Sequence, residues 1–158
     1  MASYYFDSSA LVKYYIIEPG AHWVKILVDD RAGDEWRNAV ATSSLSVAEV
    51  AAAFTKRHRM REMSEGLKAA LISRFLRDGR QRCTLLEADS TVIDTAVQLI
   101  QRHPLRAYDA VQLASALILN SALIADKLSP LTFVSADNVL CEAAQAEGLP
   151  TENPNEYE

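Results

Sequence analysis

The feature that most constrains this chain is an alternation. Short apolar, β-prone runs take turns with longer stretches of helical periodicity. Tyr4-Tyr5-Phe6 is aromatic and β-prone, and Asp7-Ser8-Ser9 closes it, so it reads as a short buried strand turning into a helix. Ala10 to Ile17 reads as that helix, stopped by Pro19-Gly20. A second amphipathic helix covers Ala21 to Asp30, with Trp23, Ile26 and Leu27 on one face. Ala39 to Thr42 predicts a strand, and Ser43 or Ser44 can cap the helix that runs through Val47, Val50 and Phe54. Ser64 opens a further helix through Leu67, Leu71, Phe75 and Leu76. A strand at Cys83 to Leu86 precedes a helix from Ser90 to Arg102. Pro104 breaks the chain before a long apolar helix at Ala107 to Ala125. A strand at Leu131 to Ser135 leads into a helix at Asn138 to Glu147, ended by Gly148, and Leu149 to Thr151 adds an edge strand. Such alternation predicts an α/β fold with a mostly parallel central sheet flanked by helices on both faces. With 158 residues, 49% apolar, and no linker in between, the expectation is one domain over 1–158, with residues 152–158 as a loose acidic tail.

Against this apolar background the charges stand out. Asp7 is the only charge between Met1 and Val12, and Glu49 the only one between Ala39 and Thr55. Asp109 is alone between Ala107 and Ala125, and Asp137 between Leu128 and Cys141. An isolated carboxylate in a core-forming segment is costly to bury without a partner. Asp7 and Asp137 each follow a strand, which in an open parallel sheet places them at the carboxyl edge, where ligands bind. Four acids converging without bases repel one another, and a hard divalent cation such as Mg²⁺ or Mn²⁺ resolves that conflict. Each acid also has a plainer reading. Asp7 and Asp137 can be helix caps, Asp109 can complement a helix dipole, and Glu49 can face solvent.

Formal net charge is −5, which by itself argues against a nucleic-acid partner. The four acids Glu147, Glu152, Glu156 and Glu158, in a stretch without Lys or Arg, account for all but one of that excess. Candidate cations for a phosphate backbone are Lys13 and Arg106 near the acids, the group Lys56, Arg57, Arg59 and Arg61, and the group Arg74, Arg77, Arg80 and Arg82; either group also reads as a solvated helix face. His22, His58 and His103 lie outside the acidic segments, and no Ser–His–Asp arrangement is apparent. Cys83 and Cys141 lack metal-ligand spacing and read as reduced, small apolar residues. No apolar run was expected to reach the ~20 residues of a membrane span, and no basic secretory leader precedes the first strand, so the expected compartment is the cytoplasm.

The segments YYFDSSALVKYY, SSLSVAEVAAAF, LRAYDAVQLASAL and FVSADNVLCEAAQAEGL resemble the successive signature segments of the PIN-domain nucleases, above all the small toxin ribonucleases of VapC type. The resemblance runs from the first strand to the final helix. It places the family's four acids on Asp7, Glu49, Asp109 and Asp137, with Ser8 and Ser135 at positions that orient ligands or water. It implies Mg²⁺-dependent hydrolysis of RNA, with Mn²⁺ as a substitute, Asp7 and Asp109 as the more direct metal ligands, a homodimer, and a small VapB-like antitoxin as partner. The helices near Trp23 and Leu67 to Leu76 are the candidate packing surfaces for that partner. Competing readings are a structure-specific DNA nuclease and a catalytically silent PIN-like interaction module. A phosphoryl-receiver domain fits less well, because Ser8-Ser9 stands where a second acid is wanted and Ser135-Ala136-Asp137 where a Lys is wanted.

Overall fold

A computed structural model describes residues 1–158. The elements run β1 (Ala2–Phe6), α1 (Ser8–Tyr15), α2 (Ala21–Asp29), β2 (Arg31–Ala32), β3 (Glu35–Trp36), β4 (Asn38–Ser43), α3 (Ser46–Arg59), α4 (Glu65–Arg82), β5 (Cys83–Leu86), α5 (Ser90–Arg102), α6 (Ala107–Ala125), β6 (Thr132–Val134), α7 (Asn138–Ala146) and β7 (Thr151–Glu152), followed by a 3-10 turn at Pro154–Glu156. Five strands form one sheet in the order β5-β4-β1-β6-β7, every pair parallel. The α/β expectation holds, with helices on both faces.

Period-2 alternation explains how one sheet serves two cores. In the three central strands, successive residues go to opposite sides. Tyr5, Ala41 and Phe133 join α5, α6 and α7 in one core, and the Tyr5 and Phe133 rings stack there at 5.7 Å. Phe6, Val40 and Val134 join α1, α2, α3 and α4 in the other. Each fully buried side chain of this size contributes about 1.5–3 kcal/mol. A register slip of one residue would exchange the two sets, so the pairing is strongly specified.

The chain starts in the middle of the sheet. From β1 it moves out through β4 to β5, then returns to β6 on the other side of β1. The strand order therefore reverses between β1 and β6, and the crevice outside their carboxyl ends is the switch point where open α/β sheets bind ligands.

Several boundaries differ from expectation for identifiable reasons. Helix α1 begins at Ser8, not Ala10, because the Asp7 side chain takes the Ala10 amide and so draws both serines into the first turn. Helix α4 runs past Leu76 to Arg82; the intervening Arg and Gln residues are good helix formers. The small hairpin β2–β3, turning through Gly33 at φ 65, was not expected at all.

The loose acidic tail needs correction. Asn153 and Pro154 are buried, Asn155 Nδ2 donates to the Ala136 carbonyl at 3.2 Å, and Asn153 Nδ2 donates to Asn138 Oδ1 at 2.7 Å. Tyr157 stacks on Trp23 with ring centroids 4.5 Å apart. Gly20 holds φ +80 against this segment, where a Cβ would run into the Pro154 carbonyl. The neutral residues between the acids anchor the segment. Helix α6, with 19 residues, is also long and apolar enough by length and composition to cross a membrane, contrary to expectation. In this fold its first half, Ala110 to Ala116, is buried in the core.

Candidate active site

Asp7 leaves β1 as the N-cap of α1 and is 4% exposed. Its Oδ1 accepts from the Ala10 amide at 2.9 Å and from Ser9 Oγ at 2.7 Å, and its Oδ2 accepts from Ser135 Oγ at 2.7 Å. Both serines are tied to the loop after β6: Ser9 Oγ accepts from the Ala136 amide at 2.9 Å, and Ser135 Oγ accepts from the Asp137 amide at 3.1 Å. The adjacent ends of β1 and β6 are thus joined by side chains as well as by the ladder. Burial pushes the Asp7 carboxyl up to about 6, hydrogen bonds from Ser9, Ala10 and Ser135 pull against that rise, and the charge of Glu49 adds to it.

Glu49 projects from the first turn of α3 and is half-buried. Its Oε2 accepts from Gln112 Nε2 at 2.6 Å. Burial raises its carboxyl above the usual range, hydrogen bonds from Gln112 and Ser8 oppose this, and Asp109 raises it further. Asp109, in the first turn of α6, is raised by burial, with Asp137 adding to the rise and Arg106 opposing it. Asp137 caps α7, with Oδ1 accepting from the Val139 amide at 2.8 Å and from the Leu140 amide at 3.1 Å. The capping readings of Asp7 and Asp137 therefore hold alongside whatever else these residues do.

The four acids form a chain of electrostatic neighbours: Asp7 feels Glu49, Glu49 feels Asp109, and Asp109 feels Asp137. The one ion pair among them is Arg106 Nε to Asp109 Oδ2 at 3.9 Å, from a side chain 90% exposed. No three acids stand close enough to form a ready-made metal cage. The donors are all oxygen and spread around a crevice, which suits an ion that keeps several waters better than one that needs a closed protein cage.

The sequence-predicted cations fare differently. Lys13, expected at phosphate, is 4% exposed and is spoken for: its Nζ lies 3.1 Å from Glu18 Oε1 and donates to the Pro19 carbonyl at 2.7 Å. The turn after α1 brings these acceptors back onto it, so Lys13 is corrected to a structural role. Arg57 is tied to Glu18 at 2.5 Å. Lys56 and Arg59 are exposed toward the far end of α3, about 10 and 15 Å along the helix from Glu49, and Arg61 is exposed in the turn beyond it. Arg74 and Arg77 pair with Asp78, and Arg82 donates to the carbonyls of Val28 and Asn38. Of these cations, Arg106 alone combines exposure with a place beside one of the four site acids. Trp23, expected to receive a partner, is already covered by Tyr157.

Sequence reasoning missed Ser9 and Gln112. Ser9 Oγ, rather than Ser8 Oγ, bonds Asp7. Gln112 is the one amide in the run Ala110 to Leu119, where Ser115 is the only other polar side chain, and that placement was a usable signal, though it carries no charge to draw attention.

A parallel switch-point sheet with acids at the end of β1, on α3 and α6, and at the cap of α7 defines a class of α/β domains with an acidic crevice. The sequence matches the PIN domain family over residues 4–145, nearly the whole chain, and the chain belongs to that family, whose domains are typically nucleases. Among solved structures, the fold resembles a toxin–antitoxin complex from Klebsiella pneumoniae, at 18% identity and TM-score 0.57, covering 96% of this chain and 97% of that one. It also resembles VapBC2 from Rickettsia felis bound to a DNA fragment from its promoter, at 15% identity and TM-score 0.59, covering 96% and 98%. At these identities the likeness establishes the fold. No curated protein matches the sequence.

Proposed function

We propose that this chain is a Mg²⁺-dependent endoribonuclease, the VapC-type toxin of a toxin–antitoxin pair, acting in the cytoplasm. The observation that carries this reading is the charge imbalance at the switch point. Four carboxylates gather there, three of them raised by burial and by one another, with only the exposed Arg106 as a basic neighbour. Their hard oxygen donors fit Mg²⁺, with Mn²⁺ as a substitute. Asp7 and Asp109 are the more direct ligands in this reading, and Glu49 and Asp137 complete the site through water or by holding a second ion. When bound, a divalent ion lowers the pKa of its water and offsets charge on the phosphate.

The chain's own residues supply positioning. Ser9 and Ser135 hold both oxygens of Asp7, while Ser8 acts on Glu49. Asp137 is held at Oδ1 by its cap bonds. Arg106, at the rim, is placed to take a phosphate oxygen of the RNA. The solved toxin–antitoxin complexes of like fold support an antitoxin partner, for which the exposed Leu67 and Leu76 on α4 offer contact. The exposed stripe Ile93, Val97 and Ile100 on α5 offers a surface for the homodimer.

The test is cleavage of RNA by the purified chain with Mg²⁺ or Mn²⁺, with and without EDTA. Cleavage that needs the ion and is lost in Asp7→Asn and Asp109→Asn, with circular dichroism unchanged, supports the reading. Unchanged cleavage in both variants removes the assigned site. Activity confined to structured DNA favours the DNA nuclease, and inertness toward both nucleic acids favours the interaction module.

A further inference from the structure

Gln112 sits three residues after Asp109 on α6 and is 2% exposed. An amide buried this deeply is costly unless every donor and acceptor is satisfied. Here all are. Tyr5 Oη donates to Gln112 Oε1 at 2.8 Å. Gln112 Nε2 donates one hydrogen to Ser46 Oγ at 2.8 Å and the other to Glu49 Oε2 at 2.6 Å. Ser46 Oγ in turn lies 2.7 Å from Thr42 Oγ1, within β4.

The inventory of partners sets which way the amide faces. A carboxylate only accepts, so the amide nitrogen must point at Glu49. Turning the amide over would set its oxygen against the carboxylate and leave Tyr5 to accept. The tyrosine hydroxyl therefore anchors the oxygen end and aims the NH₂ group at the acid.

The network also joins the elements that carry the acids. Tyr5 lies on β1, two residues before Asp7. Ser46 lies on α3, three residues before Glu49. Gln112 lies on α6, three residues after Asp109. We infer that the Gln112 amide is a positioning residue that fixes Glu49 at Oε2 and sets its spacing from Asp7 and Asp109 for binding a divalent cation. This rests on the nuclease reading of the same site.

The experiment uses the full chain and Mn²⁺ alone, with binding followed by electron paramagnetic resonance and folding by thermal unfolding. Gln112→Met keeps the length and loses the donor. It is expected to bind Mn²⁺ about 10–100-fold more weakly, the range for outer partners of metal sites, and to lower kcat with KM for RNA little changed. Its loss should not add to that of Glu49→Gln in the double variant, because both act through one carboxylate. A merely structural role would add. Tyr5→Phe removes one hydroxyl from the far end of the network and should weaken Mn²⁺ less than tenfold; it carries the test if Gln112→Met does not fold. Wild-type Mn²⁺ affinity in a folded Gln112→Met, or in Tyr5→Phe should that variant stand in for it, overturns the inference, as does full additivity with Glu49→Gln. A wild-type chain that binds no Mn²⁺ overturns the metal-nuclease reading itself, and the inference with it.

Discussion

The two ends of the sheet both gather like charges, and they differ in how those charges are answered. At the carboxyl edge stand Asp7, Glu49, Asp109 and Asp137, with one weak, solvent-exposed ion pair. At the amino edge, Arg31, Arg74, Arg77 and Arg82 line a cleft of about 380 Å³ together with Trp36, Tyr14 and Tyr15. There the fold supplies its own answers. Arg82 donates to the Val28 and Asn38 carbonyls at 2.8 and 3.0 Å, and its guanidinium carbon lies 4.1 Å from the Trp36 ring centroid. Arg31 lies over the same ring at 3.5 Å, and Arg74 and Arg77 share Asp78. A clustered charge with internal partners closes a structure. A clustered charge without them leaves a demand that something outside the chain must meet, and only the carboxyl edge carries such a demand in full.

The sharpest way to break this contrast is to remove one charge at each end. Asp7→Asn is expected to cost more cleavage activity than the roughly 10–100-fold typical of outer partners in metal sites, while Arg82→Ala leaves the activity of folded enzyme within about twofold. Single-turnover assays on RNA with Mg²⁺ check both. Equal losses at the two ends would mean that the amino edge also touches substrate.

The pH dependence of stability comes next in size. Burial holds the Asp7 carboxyl at about 6, above its ordinary value of 3.8, so the metal-free fold prefers the neutral acid. The Asp7 contribution to stability therefore falls by ~3 kcal/mol as pH rises from about 4 to about 6 and is level above that, against the smaller opposite trend of the lowered Glu147 carboxyl. Glu49 and Asp109 shift in the same direction as Asp7. Urea unfolding with EDTA should show the fall, excess Mg²⁺ at neutral pH should reverse it, and Asp7→Asn should remove the Asp7 share, leaving only the part due to Glu49 and Asp109. A metal-free protein more stable at pH 7 than at pH 5 would contradict the account. At the amino edge the expected effect is on folding alone: Arg82→Ala removes two charged hydrogen bonds and a ring contact, worth about 2–3 kcal/mol together. A loss below about 1 kcal/mol would show that water can replace the guanidinium at those carbonyls.

The same contrast explains what the sequence made legible. Asp7, Glu49, Asp109 and Asp137 stand alone in apolar runs, and such isolation is visible without coordinates. The strands around β1 were legible because aromatic and branched residues end at turn formers. Residues whose roles depend on neutral hydrogen bonding were not. Ser9 and Gln112 act through contacts 127 and 63 residues away in sequence, which no local pattern encodes. Lys13 looked available because the turn that returns Glu18 and Pro19 to it lies beyond the helix. The tail looked loose because composition weighs its glutamates and not the Tyr157–Trp23 stack. The hairpin at Arg31 to Trp36 is too short and too charged for a periodicity to register.

The smallest expected effect tests whether Arg106 truly leaves the acids unanswered. Its side chain is 90% exposed and 3.9 Å from Asp109, a geometry in which an ion pair is worth about 0–1 kcal/mol and is screened by salt. Arg106→Ala should therefore change the unfolding free energy by no more than about 0.5 kcal/mol. Binding of Mn²⁺ should tighten slightly, because a competing positive charge is gone, while KM for RNA should rise at low salt and converge on the wild-type value as salt increases. The two directions separate the roles: a neutralising partner would weaken stability and tighten metal binding strongly, whereas a rim cation that greets the phosphate moves KM and its salt dependence. A stability loss near 2 kcal/mol, comparable to Arg82→Ala, would place Arg106 among the answered charges and erase the difference between the two ends of the sheet.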